Sequence, residues 1–217
     1  FKFENARSGI IPKKIFGKKK LPGYLVVDRY AAYNKTPCKI QYCYAHLLRK
    51  VEDLQKEFSD NKEVICFVGT FAPLLAETMH LRNQNISDDT YYKKANLLKK
   101  KIIKVINSSS KHLGIKEIQN IFIENKKRLY HWVKNRKVPP HNNRAERELR
   151  PSVIARKVSF GSQSEKGAKT RSTLMTVLHT AQKRLKNKTV REWFKESLDK
   201  LSLNPNLDPY TLLPLPD

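Results

Sequence analysis

The sequence predicts an α/β protein whose sheet-bearing core is interrupted by an all-helical insertion, and three stretches carry that prediction. Two apolar runs, "YLVVD" at 24–28 and "CKIQYCYAH" at 38–46, have the composition of short strands. The first lies between Gly23 and Asp28, as a buried central strand would. From 64 to 136 the chain reads as helix after helix, and "VPP" at 138–140 ends that stretch because neither proline can extend a helix interior. The expected organisation is therefore a first part of the core at 1–60, a helical insertion at 61–138, a second part of the core at 139–188, and a final helix with an extended tail at 189–217.

In chain order, Phe1 and Phe3 alternate with Lys2 and Glu4, the period of a half-buried strand. "IPKKIFGKKKLPG" follows as a basic loop or short helix closed by Pro22 and Gly23. The two apolar runs, joined by the short "RYAAY" segment, suit a parallel α/β unit. Leu47, Val51, Leu54 and Phe58 recur at spacings of four, three and four, which predicts an amphipathic helix over 46–58. In the insertion, "FAPLLAETMHL", "DDTYYKKANLLKKKIIKVI" and "IKEIQNIFIENKKRLYHWVKN" each predict a helix, the second with an acidic start at 87–89.

Past the prolines, Asn143 and Glu146 have the spacing of an N-cap and its capping-box glutamate, and Pro151 is expected to limit or kink the helix they open. "KVSFGSQSEKGAK" reads as a strand or extended loop. A helix with Leu174, Val177, Leu178, Ala181 and Leu185 on one face follows, and Thr189 with Glu192 forms a second capping box before the last helix. The proline-rich "NPNLDPYTLLPLPD" predicts an extended tail.

The chain has 217 residues with 44 Lys plus Arg against 20 Asp plus Glu, a formal net charge of +24. That excess points to a polyanionic partner, because cations that neutralise phosphates release condensed counterions. Lysine-rich faces are often only solvated, whereas the arginines at 144–156 offer bidentate geometry to phosphate oxygens. Three cysteines, Cys38, Cys43 and Cys66, make an odd set with no apolar leader, so a reducing, cytoplasmic location is expected. The longest apolar runs, such as "VICFV", are too short for a membrane span, and no membrane association is expected.

Two acids are the candidate chemistry. Asp28 ends an apolar strand, where open α/β sheets place ligands and where an acid can hold a divalent ion; an acid there more often only shapes a turn. Glu146 has a sufficient explanation as a helix cap, yet it stands among Arg144, Arg147, Arg150, Arg156 and Lys157. Those cations suit phosphate oxygens, and a carboxylate among them can do what they cannot, which is to bind Mg²⁺. Cys43 and His46, in "CYAH", have the spacing of half a zinc site without a second pair, and a structural thiol beside a helix-start histidine is the better reading. His131, His141 and His179 form no nucleophilic triad, and Tyr30, Tyr33, Tyr42 and Tyr44 suit core packing at least as well as base stacking.

In order, "GYLVVDRYAAYN", "CYAHLLRKVEDL" and "NNRAERELRPSVIARKVSFGSQSEKGAKTRSTLMTVLHTAQ" resemble the catalytic region of bacterial insertion-sequence transposases of the sixty-six family. The resemblance covers nearly the whole chain. It implies a ribonuclease-H-like mixed sheet, an Asp-Asp-Glu set binding two Mg²⁺ (or Mn²⁺) ions, and cleavage and joining of DNA strands. It implies double-stranded DNA, as transposon ends and target, for a partner, and a homo-oligomer in the transposition complex. Asp28 matches the second aspartate and Glu146 the glutamate, so these are the implied catalytic and metal-binding residues. Arg144, Arg147, Arg150, Arg156 and Lys157 are the implied DNA contacts. Cys43 and His46 match a Cys-x-x-His signature, and Arg29 stands where the family usually has glycine. The first aspartate has no counterpart here, so the chain is expected to lack one metal ligand and the amino-terminal strands, and to be inactive alone. The alternatives are a catalytically dead DNA-binding remnant and a nuclease with the same fold.

Overall fold

The computed structural model describes residues 3–4, 8–161 and 164–214. The chain divides into two compact units, one of Ala6–Glu148 and one of Phe1–Asn5 with Leu149–Asp217.

The first unit opens with α1 (Ile10–Phe16), then β1 (Tyr24–Val27), a 3₁₀ turn at Ala31–Lys35, and β2 (Lys39–Tyr42). β1 and β2 pair in parallel, Tyr24 opposite Lys39 and Val27 opposite Tyr42. Helices follow: α2 (Tyr44–Glu57), α3 (Lys62–Leu81), α4 (Asp88–Ile106), α5 (Leu113–Glu124), and two single turns, α6 (Lys126–Leu129) and α7 (His131–Lys134). Local signals explain the starts. The Asn61 carboxamide oxygen accepts from the N–H groups of Glu63 and Val64 to open α3, and the Ser87 hydroxyl accepts from Thr90 to open α4.

The core of this unit is helical. Tyr44, Leu47 and Val51 of α2 meet Val64, Phe67, Phe71 and Leu75 of α3, and α4 and α5 add Tyr91, Leu98, Ile102, Ile115, Ile118 and Phe122. Tyr44, Phe71, Phe122 and Trp132 hold edge-on ring contacts 5.2–6.3 Å between centroids. Helix α3 is long and apolar enough by composition to cross a membrane, but its buried face packs against α2 and α4 as a core helix does.

The ribonuclease-H-like mixed sheet is not present. Among the described residues the only sheet is the two-stranded β1–β2 ladder, and the class is mainly helical. Both apolar runs do form strands, but each is four residues long. The further strands on which the expectation rested fail for separate reasons. The amino-terminal alternation lies largely outside the described residues, and Phe3 and Glu4 carry no strand pairing. "KVSFG" begins inside a helix, α8 (Asn143–Val158), which passes through Pro151 and stops only where Phe160 (φ 52°) and Gly161 (φ 99°) turn left-handed. The segment 115–135, expected as one helix, is broken at Asn125 and Tyr130 into α5, α6 and α7.

The second unit holds most of α8, α9 (Glu165–Arg184), α10 (Val190–Leu203) and a 3₁₀ turn at Pro209–Leu212 inside the expected tail. The Thr189–Glu192 capping box is formed in both directions. Burial here is sparse. Ala168, Ala181 and Trp193 are its buried hydrophobic residues among those described, while Leu174, on the expected apolar face, is 47% exposed.

One buried node ties the short sheet to the helices. The fully buried Gln41 of β2 donates through Nε2 to the carbonyls of Tyr42 (2.9 Å) and Leu129 (3.1 Å), and its Oε1 accepts from the N–H of His131 (3.0 Å). The Leu129 carbonyl also accepts from Tyr44 Oη at 3.0 Å and Trp132 Nε1 at 2.9 Å. Gln41→Ala leaves the His131 N–H without its partner in the interior, so urea unfolding is expected to show a loss of about 2–4 kcal/mol. A loss below about 0.5 kcal/mol, the range of ordinary surface changes, would show that the node does not hold the sheet in place.

Candidate functional site

Asp28 follows the last residue of β1, at the carboxyl end of the ladder. Its Oδ1 accepts from the Tyr30 N–H at 3.1 Å, a turn that leads the chain into the 3₁₀ segment. Its other oxygen takes no hydrogen bond among the described residues. Arg29 beside it is exposed.

Cys43 sits at the opening of α2 and joins three segments. Its N–H donates to the carbonyl of Val27, the residue before Asp28, at 2.8 Å. Its Sγ accepts from the N–H of Asn142 at 3.4 Å, and the neighbouring Tyr44 N–H donates to the Pro140 carbonyl at 2.8 Å. The strand end that bears Asp28 and the chain that enters α8 are thereby fastened to one point. Cys43 is 1% exposed, and burial pushes its thiol up. The charge of Glu146 acts in the same direction, while backbone hydrogen bonds from Asn142, His46 and Ala45 oppose it.

Glu146 lies in the first turn of α8 and is not the capping-box glutamate of Asn143. The helix begins at Asn143, with the Glu146 N–H donating to the Asn142 carbonyl at 3.2 Å. The Glu146 carboxylate lies 3.4 Å from Nε2 of His46 on the first turn of α2, with the two side chains 40% and 30% exposed. His46 Nδ1 is buried without a partner, and so is the side-chain oxygen of Asn142. Polar atoms in that condition are uncommon in a folded interior, and both belong to residues that touch Glu146, His46 through Nε2 and Asn142 through its backbone carbonyl.

Helical spacing sets Arg144, Arg147 and Arg150 along one ridge of α8, three residues apart. Arg144 and Arg147 share the first unit with Glu146 and are exposed. Arg150, Arg156 and Lys157 belong to the second unit, also exposed. The structure thus brings Asp28, Cys43, His46 and Glu146 to one end of the short sheet. Among the described residues no three His, Cys, Asp or Glu side chains gather closely enough to hold a metal ion.

Sequence reasoning passed over Pro140 and Asn142, whose backbone groups complete the junction. The proline pair signals only the end of a helix, and nothing in the sequence identifies a carbonyl that will accept a bond 96 residues earlier in the chain.

A strand-end aspartate and a histidine-bonded glutamate thus lie about the opening of α2, in a strongly basic chain whose next helix carries exposed arginines. The particular family follows from comparison. The profile described as Transposase IS66 family matches residues 1–170, a span that includes every residue of this site. The chain belongs to that family. No curated protein and no solved structure gives a significant match.

The geometry orders the three cysteines, all free thiols: Cys66 exposed, Cys38 intermediate, Cys43 buried. Iodoacetamide at pH 8 is expected to label Cys66 first and to reach Cys43 only after unfolding, as read by peptide mass spectrometry. Labelling of Cys43 in the native protein at the rate of Cys66 would show that the junction is open.

Proposed function

We propose that this chain carries the metal-dependent catalytic site of a DNA transposase, with Asp28 and Glu146 as the carboxylates that hold a divalent ion. Family membership makes transposition the process. The observation that carries the site is the Cys43 junction, which brings the strand end of Asp28 and the helix start of Glu146 to the opening of α2.

The residues fit a Mg²⁺ or Mn²⁺ ion of the kind that keeps several waters and takes only one or two protein carboxylates. Asp28 has an oxygen without a hydrogen bond, Glu146 is partly exposed, and the orphaned atoms of His46 and Asn142 supply acceptors for metal-bound water. When bound, divalent ions would activate a water or a 3′ hydroxyl and stabilise the oxygen that leaves phosphorus. The chain's own contribution is positional. His46 orients the Glu146 carboxylate, Cys43 fixes both acids to one frame, and Arg144 and Arg147 hold the DNA backbone without selecting its sequence. Arg150, Arg156 and Lys157 are proposed as further backbone contacts. Two carboxylates are an incomplete set for two ions, so strand transfer by this chain alone is not expected. The process is proposed to be cytoplasmic and to use an oligomer of the protein.

The test is Mn²⁺-dependent nicking of duplex DNA by the protein beside Asp28→Ala and Glu146→Ala. Nicking that falls at least about 100-fold in both variants is expected, consistent with loss of metal-held charge stabilisation. Nicking that survives both substitutions, or DNA binding without any nicking, contradicts the metal-site reading and leaves a protein that binds DNA by charge alone.

A further inference from the structure

A second site lies at the other end of the short sheet. Between α4, α6 and α7 the surface folds into a cleft of about 480 Å³ lined by Lys99, Lys126, Lys127 and Lys134 with Tyr130 and His131. No carboxylate lines it. Some basic residues elsewhere in the same unit are paired with acids: Lys50 with Glu117 at 2.9 Å, and Arg136 with Asp88 at 2.8 Å. The four cleft lysines have no such partner among the described residues.

Aromatic rings are interleaved with these cations. Lys99 Nζ stands 5.4 Å from the centre of the Tyr130 ring. The next residue, His131, packs its ring 4.8 Å from that of Tyr24, and Lys39 Nζ lies 5.3 Å from the centre of the Tyr24 ring. Lys99 and Lys39 thus stand at the two ends of a strip that carries the rings of Tyr130, His131 and Tyr24. Burial lowers the His131 pKa, and the charges of Lys39 and Lys134 lower it further, so the imidazole itself reports the positive potential there.

Tyr24 and Lys39 are the first residues of β1 and β2, whereas Asp28 follows the last residue of β1. The strip is therefore displaced from Asp28 by roughly 13 Å along the strand. Uncompensated lysines around a concave surface hold phosphates as point charges, and adjacent rings accept the flat face of a base. The sequence marks these lysines only as a charge run of the kind that is usually solvated; their convergence from three helices is a property of the fold.

We propose that this cleft binds the phosphodiester backbone of a nucleic acid at a point separate from the Asp28–Glu146 site. The proposal rests on DNA being the partner and is independent of the metal chemistry. Its position lets the helical segment hold one stretch of strand while the acids face another.

The experiment measures the salt dependence of binding of this chain to a duplex and to a single-stranded oligonucleotide of the same sequence. It compares the unaltered protein with a fourfold variant, Lys99→Gln, Lys126→Gln, Lys127→Gln and Lys134→Gln. A control carries the same charge change at exposed lysines elsewhere in the unit, Lys62→Gln, Lys93→Gln, Lys111→Gln and Lys116→Gln. Each lysine that contacts a phosphate contributes about 0.9 to the slope of log affinity against log salt on duplex DNA, so the fourfold variant is expected to lose about 2–4 from that slope and the control less than about 1. Lys127→Gln and Lys134→Gln singly are each expected to lower it by about 0.9 with an unchanged thermal midpoint. Loss on both nucleic acids, about 0.9 per contact on the duplex and about 0.7 on the single strand, supports backbone contact by the cleft lysines. Equal losses in variant and control overturn the cleft and leave only long-range charge, with the metal site unaffected. Failure of the unaltered chain to bind either nucleic acid overturns the cleft together with the DNA reading.

Discussion

Everything proposed for the candidate site depends on the placement of one small buried residue, Cys43. A backbone N–H that bonds the end of β1 and a sulfur that accepts from Asn142 hold two distant parts of the chain against the opening turn of α2. The thiol is suited to this because it is compact, tolerates burial and accepts a weak hydrogen bond without needing the solvation a carboxylate would require. His46, three residues further along α2, is then presented to Glu146 on the same helical face. The "CYAH" motif has the spacing of half a zinc site but reads better as a structural thiol beside a helix-start histidine, and in the structure its thiol joins strand, helix and helix.

The short sheet and the helical layer support that junction from beneath. Gln41 and Tyr44, flanking Tyr42 and Cys43 in sequence, both bond the carbonyl of Leu129, so the strand that leads into Cys43 is tied to the break between α6 and α7. That break also presents Tyr130 and His131 to the lysine cleft. One set of buried hydrogen bonds therefore positions the acids at one end of the ladder and the basic, ring-bearing strip at the other. Carboxylates placed within the lysine cleft would cancel its field, and their placement at the other end of the ladder avoids this.

What was legible in the sequence was mostly local. The periodicity of Leu47, Val51 and Leu54, the Ser87 start of α4 and the Thr189–Glu192 box each depend on contacts within a few residues, and each forms. The strands at 24–27 and 39–42 were legible as apolar runs, but the extent of the sheet was not, because strand partners are chosen across the whole chain and no pattern inside "KVSFG" outweighs the helix that enters it from α8. The Asn143 and Glu146 spacing fits a capping box equally well in sequence. What decides against it is that the helix already begins at Asn143 and that His46, far away in the chain, engages the carboxylate instead. The Asp28 turn shows the converse, since the acid shapes the loop through one oxygen and keeps the other free.

The central claim is that Asp28 and Glu146 serve one divalent ion, and calorimetric titration of Mn²⁺ into the protein, Asp28→Ala, Glu146→Ala and the double variant tests it most directly. Residues that share one ion are coupled, so each single substitution should weaken binding at least tenfold and the second should add little to the first. Additive losses, or tight binding that persists in the double variant, would show that the two acids do not form a common site.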